Sequence, residues 1–389
     1  MSELLHELQI GPCRTAGRVR LVASGAVLEN AYASIPIFGV DTADGALVHV
    51  AGSFNGAAIL VTDVEVMHVP TGGARSRQSH GVSVAARDVM YRAVRSRMQN
   101  MGFVEVETPI RVTAAGTDPY LEAISCEEET WLQTSPEFAM KHLLAHGHER
   151  VFQVCKAFRG SEITATHNPE FTILEFYRAW EGMDALIQDV EDIVKICVPE
   201  LETAVFQRRT MNDVVRSAAN IDLVSCQTAE ELRTAIQGEG HFEPRKGDGW
   251  HEMFFELIVT CVDPYLEAQP PTFVTHWPSQ VAVLARRSPE DPRVALRFEL
   301  YVEGLELCNG FEELTDPVEQ QERFEEDRAF RAAHGLPDAP IPENFLEALR
   351  WGLPPSSGVA IGLDRLLMLR LKTKQISDVL PFWWGAGRF

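Results

Sequence analysis

The pattern of hydrophobic and polar residues predicts two regions of different character along the chain. Residues 17–69 contain four short stretches with strand-like composition, separated by Gly, Asn and Asp: "GRVRLVASGAVL", "IPIFGV", "ALVHVAGSF" and "AAILVTDVEVMHV". Closely spaced short strands with turn residues between them are typical of a small β-barrel or sandwich. The stretch "PTGGARSRQSHG" at 70–81 shows no such pattern, and we interpret it as a linker.

Longer helices and strands are predicted beyond this linker. Four segments are predicted to be helices: 82–101, 184–197, 228–237 and 319–335. Four more segments are predicted to contain strands: "FVEVETP" ending at Pro109, 151–159, 170–180, and a hairpin over 297–311 that turns at Glu303 and Gly304. A glycine-containing strand that leads into an amphipathic helix is predicted over 357–372.

These elements predict an α+β fold, because antiparallel hairpins lie beside helices rather than in βαβ units. No G-x-x-x-x-G-K-[ST] loop is present, which argues against a P-loop nucleotide site. We expect a small β-barrel domain over 1–75 and an α+β domain over 76–389.

The charge of the chain restricts its partners. Its formal net charge is −21, which argues against a surface built to bind phosphate backbones but suits a small cationic substrate. Residues 1–75 contain four Arg, no Lys and seven acidic residues, with few aromatic rings. A barrel that binds nucleic acid needs cations and stacking rings, so tRNA binding by this region is not expected.

Cysteine usage and hydropathy point to the cytoplasm. The seven cysteines are scattered and form no CxxC pair, which favours reduced thiols over a disulfide framework or a zinc site. No apolar run approaches the length of a membrane span, and the N-terminus lacks the order of a secretion signal. We expect a cytoplasmic protein with no membrane segment.

An acidic residue lies on a face that is expected to be apolar. In "HNPEFTILEFY" (167–177), strand periodicity places Phe171, Ile173, Glu175 and Tyr177 on one face. A buried carboxylate without a partner is strongly disfavoured. Glu175 therefore needs a partner, which this pattern does not identify.

Three clusters could carry chemistry. An arginine, Arg159, ends one strand and faces the turn "HNPE" that enters the next, and its planar fork of donors suits a phosphate. Glu306 and Glu313 flank a strand end, where two carboxylates can share magnesium. In "GVAIGLDRLLML" the glycines allow a backbone or flat ligand to approach, just before Arg365. Each cluster also has an ordinary alternative: a surface hairpin, two solvated acids, or a tightly packed junction.

The order of these clusters is recognisable. "GFVEVETP", "FRGSE…HNPEFTILEFY" and "GVAIGLDRLL" resemble motifs 1, 2 and 3 of the class II aminoacyl-tRNA synthetases, in the lysyl branch. Further segments, among them "TSPEFAMKHLL", "PTFVTHWPSQVAVLA" and "ELCNGFEELTDPVEQQERFEED", resemble the elongation factor P–lysine ligases, paralogues of lysyl-tRNA synthetase that lack its anticodon-binding domain. The resemblance covers about residues 80–382.

This resemblance implies a fold, a reaction and an assembly. The fold would be a six-stranded antiparallel sheet with helices, preceded here by a trimmed OB-like barrel, and the molecule would be a homodimer. Such ligases use ATP and Mg2+ to activate lysine, preferably (R)-β-lysine, as an aminoacyl-adenylate. They then transfer it to a lysine side chain of elongation factor P.

The resemblance also assigns residues. The two expected catalytic residues are Arg159 and Arg365. The expected ATP-binding residues are Arg159, Gly160, Ser161, Glu162, His167, Asn168, Phe171, Glu306, Leu307, Gly362 and Arg365. The expected substrate-binding residues are Ser135, Pro136, Glu137, Glu175, Tyr177, Glu313 and Ala360, and the expected magnesium ligands are Glu306 and Glu313. In this interpretation the ammonium group of the substrate is the missing partner of Glu175.

Two departures from the motif keep other functions open. Ser161 and Ala165 stand where the relatives have Glu and Arg, at positions that serve ATP. The alternatives are the same adenylation chemistry on another amino acid or carrier, a lysyl-tRNA synthetase-like activity, and a regulator that binds an amino acid without turnover. The intact arginines and acidic pair favour a ligase over a regulator.

Overall fold

The computed structural model describes residues 5–30, 33–70, 81–160 and 163–383. The chain divides into two compact units, residues 1–91 with 377–381 and residues 92–376 with 382–389. Most of the predicted linker, residues 71–80, lies outside the described residues, as do the predicted ATP contacts Ser161 and Glu162. The predicted boundary at residue 75 stays a prediction.

The first unit contains a closed five-stranded barrel with the strand order β1-β2-β3-β5-β4. Its strands are β1 (Gly11–Val22), β2 (Gly25–Glu29), β3 (Ser34–Phe38), β4 (Leu47–Phe54) and β5 (Ile59–His68). Alternate residues of these strands point inward, so Val19, Leu28 and Val48 are buried in the barrel core. The predicted small barrel is therefore present.

The second unit is built on an eight-stranded sheet in the order β12-β13-β14-β15-β16-β11-β10-β6. The central six strands, β13 to β10 in this order, pair antiparallel, and the edge strands β12 and β6 pair parallel. The strands of this sheet are β6 (Val104–Glu105), β10 (Arg150–Phe158), β11 (Glu170–Ala179), β12 (Gln207–Thr210), β13 (Thr272–Pro278), β14 (Val294–Val302), β15 (Leu305–Glu312) and β16 (Ser356–Gly362). The fold is thus α+β with a large antiparallel sheet, as predicted.

The described residues also form a small second sheet, ten α-helices and several short 3-10 helices. The second sheet contains β7 (Arg111–Val112), β8 (Ser125–Cys126) and β9 (Thr130–Leu132). The helices are α1 (Gly81–Asn100), α2 (Glu137–Ala145), α3 (Met183–Cys197), α4 (Met211–Ala219), α5 (Ala229–Glu239), α6 (Trp250–Leu257), α7 (Asp263–Glu267), α8 (Pro317–Ala333), α9 (Glu343–Gly352) and α10 (Leu363–Leu371). A π-helical turn, Ile258–Val262, joins α6 to α7.

The predicted elements of this unit are largely confirmed. All four predicted helices are present with ends that differ by one or two residues, and the β14–β15 hairpin turns at the predicted place. Glu303 and Gly304 both have positive φ angles, as a two-residue hairpin turn of this twist requires. The strand predicted from "FVEVETP" is shorter than expected, because only Val104 and Glu105 pair with β10.

The strand register places one row of polar residues across the sheet. Glu175 of β11 lies directly opposite Gln153 of β10 on one side and Ala360 of β16 on the other. Ala360 is in turn opposite Asn309 of β15, which is opposite Glu299 of β14. Residues directly opposite in a ladder share a face of the sheet. This face carries the candidate site.

Two other expectations concern helices and thiols. None of the helices in the described residues is long and apolar enough to cross a membrane. All seven cysteines are free thiols.

Candidate active site

Glu175 is buried and has two hydroxyl donors. Its side chain accepts hydrogen bonds from Ser135 Oγ (2.7 Å, to Oε2) and from the Tyr177 hydroxyl (2.7 Å, to Oε1). Tyr177 is two residues further along β11, so strand periodicity puts both side chains on the same face. Ser135 lies just before α2. The structure therefore brings these three predicted residues together.

A buried lysine that the sequence analysis did not single out completes this site. Lys141 Nζ lies 2.6 Å from Glu137 Oε1 and 2.5 Å from Glu313 Oε2. Lys141 is one helical turn after Glu137 in α2, which places both side chains on one helix face. This i, i+4 spacing in "PEFAMK" was a signal in the sequence. We call Ser135, Glu137, Lys141, Glu175, Tyr177 and Glu313 the acidic pocket.

The acidic pocket holds more carboxylates than cations. Burial, and next the Glu137 carboxylate, raise the pKa of Glu175 from its ordinary value of 4.5 to about 7. Burial also raises the pKa of Glu313 to about 8, although the Lys141 ammonium opposes it. Burial alone would lower the pKa of Lys141, but Glu137 and Glu313 outweigh it and raise that pKa. A further cation would therefore be bound favourably here.

The floor of the acidic pocket is formed by small residues of β16. Gly358 lies opposite Tyr177, and a Cβ atom there would fall 2.1 Å from the Tyr177 ring and 2.7 Å from Glu313 Oε1. Ala360 lies opposite Glu175. Pro136 directly precedes α2 at the rim, where its carbonyl oxygen accepts from the Met140 N–H.

The predicted motif 2 residues lie beside this pocket, at the start of β11. The Arg159 guanidinium lies 5.1 Å from the centre of the Phe171 ring, and the Arg159 N–H donates to the Pro169 carbonyl oxygen. The buried Asn168 donates from its side chain to the Glu170 carbonyl oxygen. Gly160 follows Arg159, and its N–H donates to the Glu122 carbonyl oxygen.

The predicted motif 3 residues lie at the same end of β11. Gly362, the last residue of β16, is opposite Ile173 and precedes α10, which carries Arg365 in its first turn. Arg365 Nη1 donates to the Glu306 carbonyl oxygen (2.7 Å), and Nη2 lies 2.7 Å from His167 Nε2. Arg159 and Arg365 are therefore at one end of the site.

Arg365 also borders a cavity of about 380 Å³. The cavity has aromatic walls and charged groups of both signs. Among its lining residues are Phe255, Asp263, Trp277, Arg297, Glu299, Tyr301, Glu306 and Arg365. A cavity of this size and mixed character can hold a polar small molecule or part of one.

A β-bulge turns Glu306 toward this cavity. The pairing of β15 with β14 shifts after Leu300, because Leu307 is an extra residue on β15. Glu306 consequently lies opposite Tyr301 and faces the same side of the sheet as Glu299. Leu307 itself is buried. A bulge depends on how two strands pair, so it could not be read from the pattern of β15 alone.

Glu306 and Glu313 are not brought together. Seven residues of nearly extended chain separate them, which corresponds to roughly 20 Å. Glu313 is buried beside Lys141, whereas the Glu306 side chain is 42% exposed and lies beside Arg365. A magnesium ion shared by both carboxylates would need a rearrangement. No group of three or more His, Cys, Asp or Glu side chains in the described ranges could hold a metal ion.

Comparison with known proteins places this site in a family. The family model described as "tRNA synthetases class II (D, K and N)" matches residues 75–383. The chain belongs to the class II tRNA synthetase family. This membership confirms the predicted fold class and the prediction of an ATP-dependent enzyme. The barrel strands, which end at His68, precede the residues that match the class II synthetase family.

Individual relatives show which group within the class II family this chain resembles. Proteins named elongation factor P–(R)-β-lysine ligase are 42% identical in Erwinia tasmaniensis, and 40% identical in Enterobacter sp. strain 638 and in Salmonella paratyphi B. Each comparison covers 74% of this chain and 91% of the relative. The resemblance to this group of ligases is thus confirmed.

Proposed function

We propose that this protein activates lysine or (R)-β-lysine with ATP and transfers it to a lysine side chain of elongation factor P. Relatives that are 40–42% identical over most of the chain are named elongation factor P–(R)-β-lysine ligase. The observation in this molecule that carries the proposal is the acidic pocket, where three carboxylates, two of them buried, are accompanied by a single lysine.

The acidic pocket suits an amino acid with two ammonium groups. Glu175, which has neutral donors only, would pair with one of these groups. Glu137 and Glu313 share the single positive charge of Lys141, so together they keep one negative charge for the second group. Buried charges are tolerated when they are paired, so a dication fits better than a neutral side chain. Ala360, opposite Glu175, adds a methyl group beside the substrate, and Ser135, Pro136 and Tyr177 would line the remainder.

The nucleotide would lie at the end of the site that carries the two arginines. The substrate carboxylate attacks the α-phosphorus of ATP, the α–β bridging bond breaks, and pyrophosphate leaves. Arg159 and Arg365 stabilise the developing negative charge, and preorganised donors of this kind contribute strongly to catalysis. Phe171 offers a ring face for the adenine, with Gly160, Ser161, Glu162, His167, Asn168, Leu307 and Gly362 as the proposed surrounding contacts.

Magnesium fits one part of this site. Glu306 is a half-exposed carboxylate at the cavity and beside Arg365, which suits an ion that prefers oxygen ligands, retains water and binds substrate phosphates. When bound, the ion would neutralise phosphate charge. Glu313 is proposed as a substrate-pocket residue, since its carboxylate lies against Lys141.

The remaining parts of the proposal concern assembly and location. We propose a homodimer in the cytoplasm that does not bind tRNA. The free thiols of all seven cysteines and the net charge of −21 support this location and the absence of tRNA binding.

Intact-mass measurement of elongation factor P tests the proposal. Incubation with ATP, magnesium and either lysine or (R)-β-lysine should add one lysyl unit to the factor and release AMP. The controls omit ATP, or use elongation factor P whose lysine amines have been methylated. Release of AMP without a mass gain would assign another acceptor, and a parallel reaction with tRNA would identify a synthetase. Absence of AMP with both amino acids would contradict the proposal.

A further inference from the structure

A loop crosses the site from the amino-acid side to the nucleotide side. It comprises residues 113–124, between β7 and β8. Near its start, the Ala115 carbonyl oxygen accepts from Thr134 Oγ1, adjacent to the acidic pocket. Near its end, the Glu122 carbonyl oxygen accepts from the Gly160 N–H, adjacent to Arg159. The loop is therefore anchored on both sides of the region where the amino acid and the α-phosphate would meet.

Asp118 occupies the middle of this loop and is held in place by its backbone. Arg331 Nη1 of α8 donates to the Asp118 carbonyl oxygen (2.9 Å), and the Tyr120 N–H donates to Asp118 Oδ1 (2.8 Å). None of the residues that the structure describes donates to Oδ2. The charged groups that face this carboxylate are Arg159 of the β10 end, Arg297 of β14, and Arg331 and Asp327 of α8.

Aromatic rings lie next to this carboxylate. The Tyr120 ring is 5.1 Å from the ring of Phe255, and the two side chains are about half exposed. Phe255 also lines the cavity that contains Glu306 and Arg365. The loop thus borders the cavity with a pair of rings, and such surfaces suit the methylene stem of a lysine side chain whose amine reaches further in.

We propose that Asp118 is the general base of the transfer step and accepts a proton from the lysine amine of the acceptor protein. This proposal rests on the proposed function. In the step, the amine nitrogen forms a bond to the acyl carbon of the adenylate, and the bond from that carbon to the phosphate oxygen breaks. AMP leaves with the electron pair of that bond, and the proton lost from nitrogen passes to Asp118 Oδ2.

The surroundings of Asp118 suit this role. Burial raises the pKa of Asp118 above its ordinary value of 3.8, although the Tyr120 N–H and the arginines Arg297, Arg159 and Arg331 oppose this effect. A carboxylate with a raised pKa is a better proton acceptor at neutral pH. The neighbouring carboxylate, Asp327 of α8, accepts a hydrogen bond from Thr117, and Arg159 is among the charged groups that face Asp118 but not among those that face Asp327.

Separate assays of the two half-reactions of the full-length enzyme test this role. The variant is Asp118→Asn, and the assays are ATP–pyrophosphate exchange with lysine, transfer to elongation factor P, and transfer to hydroxylamine, which is already unprotonated at neutral pH. We expect exchange and hydroxamate formation at wild-type rates. Transfer to elongation factor P should fall about 100-fold at pH 7, in line with the usual contribution of a general base, and recover as pH rises.

Each other result would overturn the role of Asp118. If Asp118→Asn transfers to elongation factor P at the wild-type rate, Asp118 is not the general base. An equal loss of exchange or of hydroxamate formation in this variant would also exclude that role. If Asp118→Asn does not fold, Asp118→Glu decides the question: a lower ratio of transfer to exchange supports the proposal, and an unchanged ratio overturns it. Glu128→Gln, an 83% exposed carboxylate on the neighbouring hairpin, is the matched control. Failure of the proposed function itself is distinguishable, because wild-type exchange would then be absent.

Discussion

The Lys141 ammonium lies 2.5 Å from a carboxylate oxygen of Glu313, and both side chains are shielded from solvent. This contact determines which carboxylates of the acidic pocket are already paired with a cation and which remain for a ligand. Because Lys141 already serves Glu313 and Glu137, Glu175 is the carboxylate left with neutral donors only. The substrate cation therefore has one preferred place.

Replacing Lys141 should strongly destabilise the protein. In Lys141→Met the buried Glu313 carboxylate and the partly exposed Glu137 carboxylate lose their cation, and breaking a buried pair in this way costs about 3–5 kcal/mol. Lys195→Met is the matched control, because Lys195 forms a similar i, i+4 pair with Glu191 that is partly exposed. That pair should contribute no more than about 1 kcal/mol. Urea unfolding measures both values, and equal losses would contradict the role of Lys141.

Gly358→Ala should damage amino-acid binding more than nucleotide binding. The new Cβ would fall 2.1 Å from the Tyr177 ring, so the ring and the adjoining Glu313 must shift. Overpacking of this kind costs about 1–3 kcal/mol, and the same shift should raise KM for lysine about tenfold or more. Gly238→Ala in α5 is the control, because a Cβ there meets nothing within 4 Å. Exchange assays with varied lysine and varied ATP separate the two effects, and an unchanged KM for lysine would refute the prediction.

The sequence analysis predicted best those features that depend on the pattern within a single segment. Strand periodicity placed Glu175 and Tyr177 on one face, and the structure joins them by a hydrogen bond. Periodicity is local and therefore readable from the chain. The resemblance to class II synthetases then grouped Ser135, Glu137 and Glu313 with them, across long sequence separations.

The parts that were missed depend on how one segment pairs with another. The β-bulge at Leu307 exists only relative to β14, so the different surroundings of Glu306 and Glu313 were invisible in one sequence. Lys141 was overlooked because lysines are seldom buried, and its partner Glu313 is 172 residues away in the chain.

Arg159→Ala should abolish adenylation and leave amino-acid binding intact. The guanidinium lies over the Phe171 ring at the nucleotide end of the site and is not part of the acidic pocket. Removing one preorganised donor to a developing charge typically lowers the rate about 100- to 1,000-fold. The measurement is ATP–pyrophosphate exchange, with thermal stabilisation by lysine as the check on binding. Arg293→Ala, which affects only a surface pair with Asp291, should retain exchange. Near-normal exchange in Arg159→Ala would remove Arg159 from catalysis.

The stability of the protein should fall as pH rises from about 5 to about 8. Burial raises the pKa of Glu175 to about 7, and burial, opposed by Arg297, raises the pKa of Glu299 to about 7. Between pH 4.5 and pH 7 the folded protein keeps protons that the unfolded chain has already lost. The stability is therefore lost as the pH rises through the folded-state pKa. A shift of this size corresponds to about 3 kcal/mol for each group.

Glu175→Gln isolates the contribution of one of these groups to the pH dependence. The amide cannot ionise, so the free energy of unfolding from urea titrations should fall less steeply between pH 5.5 and 8.5 than in the wild type. Saturating lysine should also flatten the wild-type curve, because a bound ammonium favours the ionised carboxylate. In Glu175→Gln lysine should give little stabilisation. Glu128→Gln, whose carboxylate is exposed, should retain the wild-type slope. A slope unchanged in Glu175→Gln would show that Glu175 is already ionised in the free protein, and the acidic pocket would then need another explanation.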